Sequence, residues 1–259
     1  MGVGGGEFLP TIKRATELFG SEVKVNLFEL CPDGAVIGVD GNCFLHRAVL
    51  QRGASVQAVF DEDFTPVAEE FAGWMEALMQ RGIAPRICFD GDVPPCKAEE
   101  KGSRVSKSDA AKKAVLEAGR EADFSQGELK RQLRLAASGC CGQAMVSACV
   151  SELRSRGLNA FVSLYEADSQ LALMSRRRQV SHVLTTDSDL AVHGCRSVLL
   201  APMGGGDDHF NFETGDLVYH VHVEKLMGGW AEGKLAADEC KATLEAPPSK
   251  KTKAISVGE

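Results

Sequence analysis

The sequence predicts an α/β domain built on a mainly parallel central sheet flanked by helices. Three observations carry that prediction. Short apolar runs recur, each closing on an acidic turn, and helix-length stretches separate them. The 259 residues, 44% of them hydrophobic, suffice for one large buried core.

The first run is Ala35-Val36-Ile37-Gly38-Val39, which ends at Asp40; Cys43-Phe44-Leu45 then opens a helical pattern. This reads as strand, acidic loop, helix. The same grammar recurs at Arg86-Ile87-Cys88-Phe89 before Asp90-Gly91, and at His182-Val183-Leu184-Thr185 before Asp187-Ser188-Asp189. Three strands thus deliver carboxylates at their C-terminal ends. The stretches Phe64 to Arg81 and Gly127 to Arg156 have the length of crossover helices, as a parallel sheet requires. Ligands of such sheets bind beyond the carboxyl ends of the strands.

Residues 97–126 break the pattern. They are rich in Lys, Ala, Glu and Ser with little apolar periodicity, which predicts a helix outside the core. Leu235 to Leu244 reads as helical, and from Ala246 onward Pro247-Pro248-Ser249-Lys250-Lys251-Thr252-Lys253 reads as a solvated tail. The expected organisation is one domain over 1–240 and a disordered basic tail over 241–259. Gly4 to Gly6 and Gly204 to Gly206 read as loops, since neither follows a strand and opens a helix.

Composition narrows the classes further. No apolar run approaches a membrane span, and the N-terminus carries no charged segment leading into an apolar stretch, so a soluble intracellular protein is expected. The nine cysteines are odd in number and show no C-x-x-C spacing, which argues against a disulfide framework or a zinc site. A net charge of −7 is unusual for a nucleic-acid binder, but the cations gather between Lys97 and Arg134 while acids sit in short motifs at strand ends. Clustered carboxylates that repel one another are best understood around divalent cations.

The strongest chemical signal is Tyr165-Glu166-Ala167-Asp168 followed by Thr186-Asp187-Ser188-Asp189. Each motif sets two carboxylates two residues apart on a turning segment, so both can reach one cavity, and oxygen donors suit Mg²⁺ or Mn²⁺. Asp40 or Asp189 alone would read as a helix cap. With Asp40 and Asp90 added, six acids come from four loops, which capping does not explain.

These blocks resemble the successive signatures of the XPG/flap-endonuclease family of 5′ nucleases. The similarity runs through Val39-Asp40-Gly41-Asn42-Cys43-Phe44-Leu45-His46, Cys88-Phe89-Asp90-Gly91, Leu164 to Ala172 and Thr185 to Cys195, in the family's order, over most of residues 1 to about 220. Leu45-His46, Asp187-Ser188-Asp189-Leu190 and Gly194-Cys195 resemble its exonuclease 1 branch. The resemblance implies a PIN-like 5′-nuclease domain with 97–126 as a helical arch or gateway. It also implies that Asp40, Asp90, Glu166, Asp168, Asp187 and Asp189 carry metal, with Asp187 and Asp189 central to catalysis. Two Mg²⁺ ions about 4 Å apart, or Mn²⁺ in their place, would stabilise the attacking and leaving oxygens of a phosphodiester displacement.

By the same resemblance, Lys97 and Arg104 match the gateway Lys and Arg that contact the scissile phosphate; seven residues apart, they would share one helix face. His46 matches a residue near the nucleotide at the cut, and Gly2 belongs to the DNA-contacting N-terminal start. Lys107, Lys112 and Lys113 extend the positive face toward DNA backbone, although alone they read as solvated charges.

The implied function is a structure-specific 5′ nuclease of DNA repair and replication, a 5′→3′ exonuclease able also to cut 5′ flaps. It would act in the nucleus as a monomer on DNA with a 5′ end, flap or nick. The family's downstream Gly-Cys-Asp-Tyr-like motif and helix-hairpin-helix have no match in the sequence, which keeps open a second reading, a DNA-binding or regulatory homologue with weak or no activity. A small-molecule phosphatase or kinase ranks below both, for want of a Gly-x-x-x-x-Gly-Lys-Ser/Thr loop.

Overall fold

The computed structural model describes residues 25–49, 57–121, 126–202, 210–215 and 217–223. Its strands are β1 (Val25–Asn26), β2 (Val36–Asp40), β3 (Ala84–Phe89), β4 (Asn159–Val162), β5 (His182–Thr185), β6 (Ser197–Leu200) and β7 (Leu217–His222). Its α-helices are α1 (Leu27–Leu30), α2 (Gly41–Val49), α3 (Thr65–Gln80), α4 (Ala98–Glu121), α5 (Gln126–Cys140), α6 (Gln143–Ser155), α7 (Ala167–Arg176) and α8 (Asp189–Val192). The seven strands form one sheet in the order β1-β7-β6-β5-β2-β3-β4. Pairings from β6 through β4 are parallel, whereas β7 runs antiparallel to both β6 and β1.

The apolar runs form inner strands because both faces of the sheet are covered. Ile37, Val39, Ile87, Phe89, Leu184 and Leu199 point into one core with α2, α3 and α6. Their alternate neighbours Cys88, Val183, Val198 and Leu200 point into a second core with α7 and α8. The period of two along each strand sorts side chains between these layers. On the helical side, Val67, Phe71, Met75 and Leu78 make the buried stripe of α3, which carries Pro66 in its first turn and stops before Gly82 at φ +76°.

Strand order fixes where a ligand can bind. The chain winds outward from β2 through β3 to β4, then crosses back to lay β5 on the other side of β2. The switch therefore falls between β2 and β5, and the crevice beyond their C-terminal ends is the natural site.

The α/β class and the mainly parallel sheet follow the sequence prediction. Two expectations need correction. The stretch from Gly127 to Arg156 is not one helix: it breaks at Cys141-Gly142 into α5 and α6, because glycine at the junction weakens helix continuation. A fourth acid-delivering strand, β4, precedes Glu166. Within the segment 97–126 the described residues are helical, as expected, with 122–125 outside the described residues, and α5 packs back along α4. The predicted loops at Gly4 to Gly6 and Gly204 to Gly206, the helix at Leu235 to Leu244 and the tail over 241–259 lie outside the described residues. Among the described residues, no helix is long and apolar enough to cross a membrane.

Candidate metal centre

Asp40 ends β2, 4% exposed at the switch point. Its Oδ1 accepts the Cys43 N–H at 3.3 Å, capping α2, and its Oδ2 accepts the hydroxyl of fully buried Thr185 on β5 at 2.9 Å. Both readings of this aspartate therefore hold at once: it caps a helix and it faces the crevice. Gly41 is required beside it, since a Cβ there would lie 2.6 Å from the Phe89 ring.

Asp90 leaves the end of β3. Its Oδ1 accepts the Ala167 N–H at 2.7 Å, so a carboxylate from one loop caps α7 from another, where the helix N-terminus favours negative charge. Its Oδ2 accepts from the Asn42 amide at 2.9 Å, and the Asp90 N–H returns a bond to Asn42 Oδ1 at 3.0 Å. The β4 loop is fastened to the same turn. Gly91 N–H donates to the Tyr165 carbonyl at 2.6 Å, Asp92 N–H to the Leu164 carbonyl at 3.1 Å, and Ser163 N–H to the Phe89 carbonyl at 2.8 Å. A Cβ at Gly91 would stand 2.0 Å from the Ser163 carbonyl, so only glycine lets the two loops close this far.

Glu166 and Asp168 open α7, and Glu166 forms an ion pair with Lys97 from the turn that leads into α4. Asp187 follows β5. Its N–H donates to Thr185 Oγ1 at 3.0 Å, and its Oδ1 accepts the Asp189 N–H at 3.1 Å. Thr185 thus holds Asp40 through its hydroxyl hydrogen and Asp187 through its oxygen.

Electrostatics bind these groups into one site. Asp168 is raised from the ordinary 3.8 to about 7, first by burial and then by the charges of Asp40, Asp90, Asp187 and Glu166. Burial also raises Asp40, opposed by hydrogen bonds from Cys43 and Thr185 and assisted by Asp90. Asp90 keeps an exposed edge, so its partial desolvation raises its carboxyl against the Ala167 hydrogen bond. Burial pushes the Cys88 thiol to about 12, and Asp40, Asp90 and Asp168 push it in the same direction. Five carboxylates from the four predicted loops thus share one negative field, and Asp189 joins through its backbone bond to Asp187.

The acids ring a common space instead of closing on a point. Among the described residues, no group of three or more His, Cys, Asp or Glu side chains is drawn tightly enough together to hold an ion. Mutual repulsion in a poorly solvated cleft keeps like charges apart. An all-oxygen donor set with surplus negative charge fits a hard divalent cation, and side-chain rotation would bring the donors onto it.

The predicted cationic residues divide. Lys97 reaches the acidic centre, but it closes a 3₁₀ turn over Pro95–Lys97 and not the α-helix itself. Its angular phase relative to Arg104, in the second turn of α4, therefore differs from a continuous α-helical count. His46 is exposed on α2, and its Nδ1 lies 3.3 Å from the Sγ of Cys141 in the junction between α5 and α6. Its charge also acts on Asp90, which puts it beside the cleft. Lys107 and Lys113 are exposed along α4, Lys112 is half-buried, and Lys113 pairs with Glu117 at 3.7 Å. At a rise of about 1.5 Å per residue, Lys113 stands roughly 22 Å along α4 from its first residue. Gly2 lies outside the described residues.

Sequence reasoning missed the residues that aim the acids. Asn42, Thr185, Ser163 and Gly91 do so by hydrogen bonds or close approach, and each sits within three residues of a predicted ligand. A polar or glycine residue flanking each strand-end acid was the available signal.

Comparison with known proteins follows the same outline. The XPG N-terminal domain model matches residues 2–111 and the XPG I-region model matches residues 157–228. Exodeoxyribonuclease 1 of Schizosaccharomyces pombe is 29% identical over 203 residues, 74% of this chain and 34% of that protein. Exonuclease 1 of Drosophila melanogaster is 28% identical over 169 residues, 64% of this chain and 22% of its own length. The chain thus spans about a fifth to a third of these relatives. Among solved structures, human GEN1 in complex with Holliday junction DNA superposes with a TM-score of 0.51 at 14% identity, over 88% of this chain and 46% of that one, which shows the shared fold.

Proposed function

We propose that this chain, which belongs to the XPG family, is a metal-dependent, structure-specific 5′ nuclease acting on DNA, with 5′→3′ exonuclease activity and the capacity to cut 5′ flaps. The observation that carries the reading is the acidic centre itself: carboxylates from four loops, coupled in one field at the switch point, under the arch that supplies Lys97.

Asp40, Asp90, Glu166, Asp168, Asp187 and Asp189 would hold the metal, two Mg²⁺ ions with Mn²⁺ able to substitute. When bound, a divalent pair supplies Lewis-acid stabilisation to the attacking and leaving oxygens of an in-line phosphodiester displacement. The chain's own residues do the rest. Thr185 and Asn42 fix the angles of Asp40, Asp187 and Asp90, so that the donors are oriented before substrate arrives. Asp168, raised to about 7, holds a proton near neutrality and gives it up when positive charge enters the cleft. Lys97 exchanges its Glu166 partner for a phosphate oxygen, and Arg104 approaches the same phosphate from the second turn of the arch. His46 packs near the nucleotide at the cut, beside Asp90, and Gly2, Lys107, Lys112 and Lys113 contact DNA backbone. We place the protein in the nucleus as a monomer.

The test is release of nucleotides from a 5′-labelled recessed duplex. Cleavage is expected with Mg²⁺ or Mn²⁺, and Asp187→Ala lowers it by about 10³-fold or more while the fold is retained. Comparison of a 5′ flap with a recessed end separates the two cutting modes. DNA binding without turnover under either metal supports instead a non-catalytic homologue.

A further inference from the structure

The segment between β4 and Glu166 carries a feature that metal binding does not use. Leu164 is 77% exposed, Tyr165 48% and Val162 47%. Among the described residues, Tyr165 is the one well-exposed aromatic side chain, whereas Phe44, Phe71, Phe89 and Phe210 are fully buried. The exposure is imposed by the backbone. The carbonyls of Leu164 and Tyr165 are turned inward to the Asp92 and Gly91 amides, and Ser163 Oγ reaches the Tyr165 carbonyl at 2.7 Å. With the carbonyls fastened and buried Ala167 following, the side chains are directed outward as a rigid apolar lip.

The lip's place determines what it can meet. Tyr165 precedes Glu166, and its carbonyl is held by the residue next to Asp90, so it stands at the rim of the acidic cleft. Exposed apolar surface held rigid beside a phosphate-handling site suits the face of a nucleobase, and aromatic stacking accepts any base.

We propose that Tyr165, flanked by Leu164, forms a stacking platform for a nucleobase of the strand whose phosphate enters the acidic cleft. The inference rests on the nuclease reading and adds a positioning residue to it. The platform orients the nucleotide and leaves the displacement itself to the acidic centre.

The test is a double-mutant cycle between protein and DNA. Binding of the full chain to a 5′-recessed duplex is measured in Ca²⁺, to suppress cutting, with an abasic site placed in turn at each nucleotide near the 5′ end. At one position, base removal and Tyr165→Ala should each weaken binding about tenfold, and together no more than either alone. Tyr165→Phe should bind as wild type, and Leu164→Ser should lose a few-fold. Additive losses, or unchanged binding by Tyr165→Ala, overturn the platform. So does sedimentation showing a dimer that Leu164→Ser dissolves while DNA affinity is unchanged, since the lip would then serve a second copy. If the wild-type chain cuts nothing in Mg²⁺ yet the cycle is coupled, the nuclease reading fails and the platform stands. Cleavage with an additive cycle fails the platform alone, and absence of DNA binding rejects both.

Discussion

The acidic centre and the α4–α5 helical pair are held by different physics. The acids stand on strand ends whose flanking residues, such as Val39, Phe89 and Leu184, are fully buried, and each loop is tied to another by hydrogen bonds. Among the described residues, the α4–α5 pair offers only small apolar side chains to the core. Among the described residues of α4 and α5, Ser108, Ala111, Ala136 and Ala137 are buried, and Ser108 donates to the Ala136 carbonyl at 2.8 Å. The ion pair from Lys97 to Glu166 connects the start of the arch to the centre. The difference teaches a division of labour. The carboxylates are set on the ends of a buried sheet, and the cations of α4 stand on a lightly packed helical pair.

Perturbing the two regions should therefore give distinct signatures. Asp187→Ala has the largest effect, about 10³-fold or more on cleavage, with thermal stability little changed in a melting scan. Gly91→Ala comes next. Its Cβ would meet the Ser163 carbonyl, forcing the Asp90 and Glu166 loops apart, so calorimetry should register about 2 kcal/mol of destabilisation and single-turnover cleavage should fall about 100-fold. Retained activity in this variant would break the claim that the loops must close together.

A pH effect on the metal-free protein sharpens the contrast from the acidic side. Between the ordinary carboxyl value of 3.8 and about 7, folded Asp168 keeps a proton that the unfolded chain releases. Its contribution to stability is thus full below that window and is lost as pH rises through about 7. The loss is at most about 4 kcal/mol and smaller after solvent screening. Urea titrations should show the decline in the wild type, its suppression in Asp168→Asn, and its reversal by Mg²⁺ at pH about 8.

The arch should respond in affinity, not chemistry. Gly139→Leu places side-chain atoms against Ser108, whose Oγ already lies 2.1 Å from where a Cβ would be. The helical pair should separate and DNA binding weaken about tenfold, with the saturating cleavage rate and the main melting transition nearly unchanged. The smallest effects belong to Lys107, Lys112 and Lys113. Each change to Ala should lower the slope of log binding constant against log salt by about 1 if that lysine meets a phosphate, and by nothing if it is only solvated.

Much of the acids' placement was legible in the sequence because apolar runs ending in acids need no tertiary information. Asp40, Asp90 and Asp187 were located with their strands, and Glu166 and Asp168 by their motif. β4 escaped notice because Asn159-Ala160-Phe161-Val162 is short and follows directly on a helical stretch. The break between α5 and α6 was signalled by Gly139 and Gly142, yet the surrounding Ala and Cys residues read as continuous helix. The double role of Thr185 could not be read at all, since it depends on β5 lying beside β2, a pairing between residues far apart in the chain.

The central claim is that six carboxylates from four strand-end loops form one divalent-metal centre. Crystals of the protein soaked in Mn²⁺ and measured at the manganese absorption edge test it most directly. The account predicts two anomalous peaks about 4 Å apart among Asp40, Asp90, Glu166, Asp168, Asp187 and Asp189. Manganese bound only elsewhere on an intact protein, or no bound manganese at saturating concentration, would contradict it.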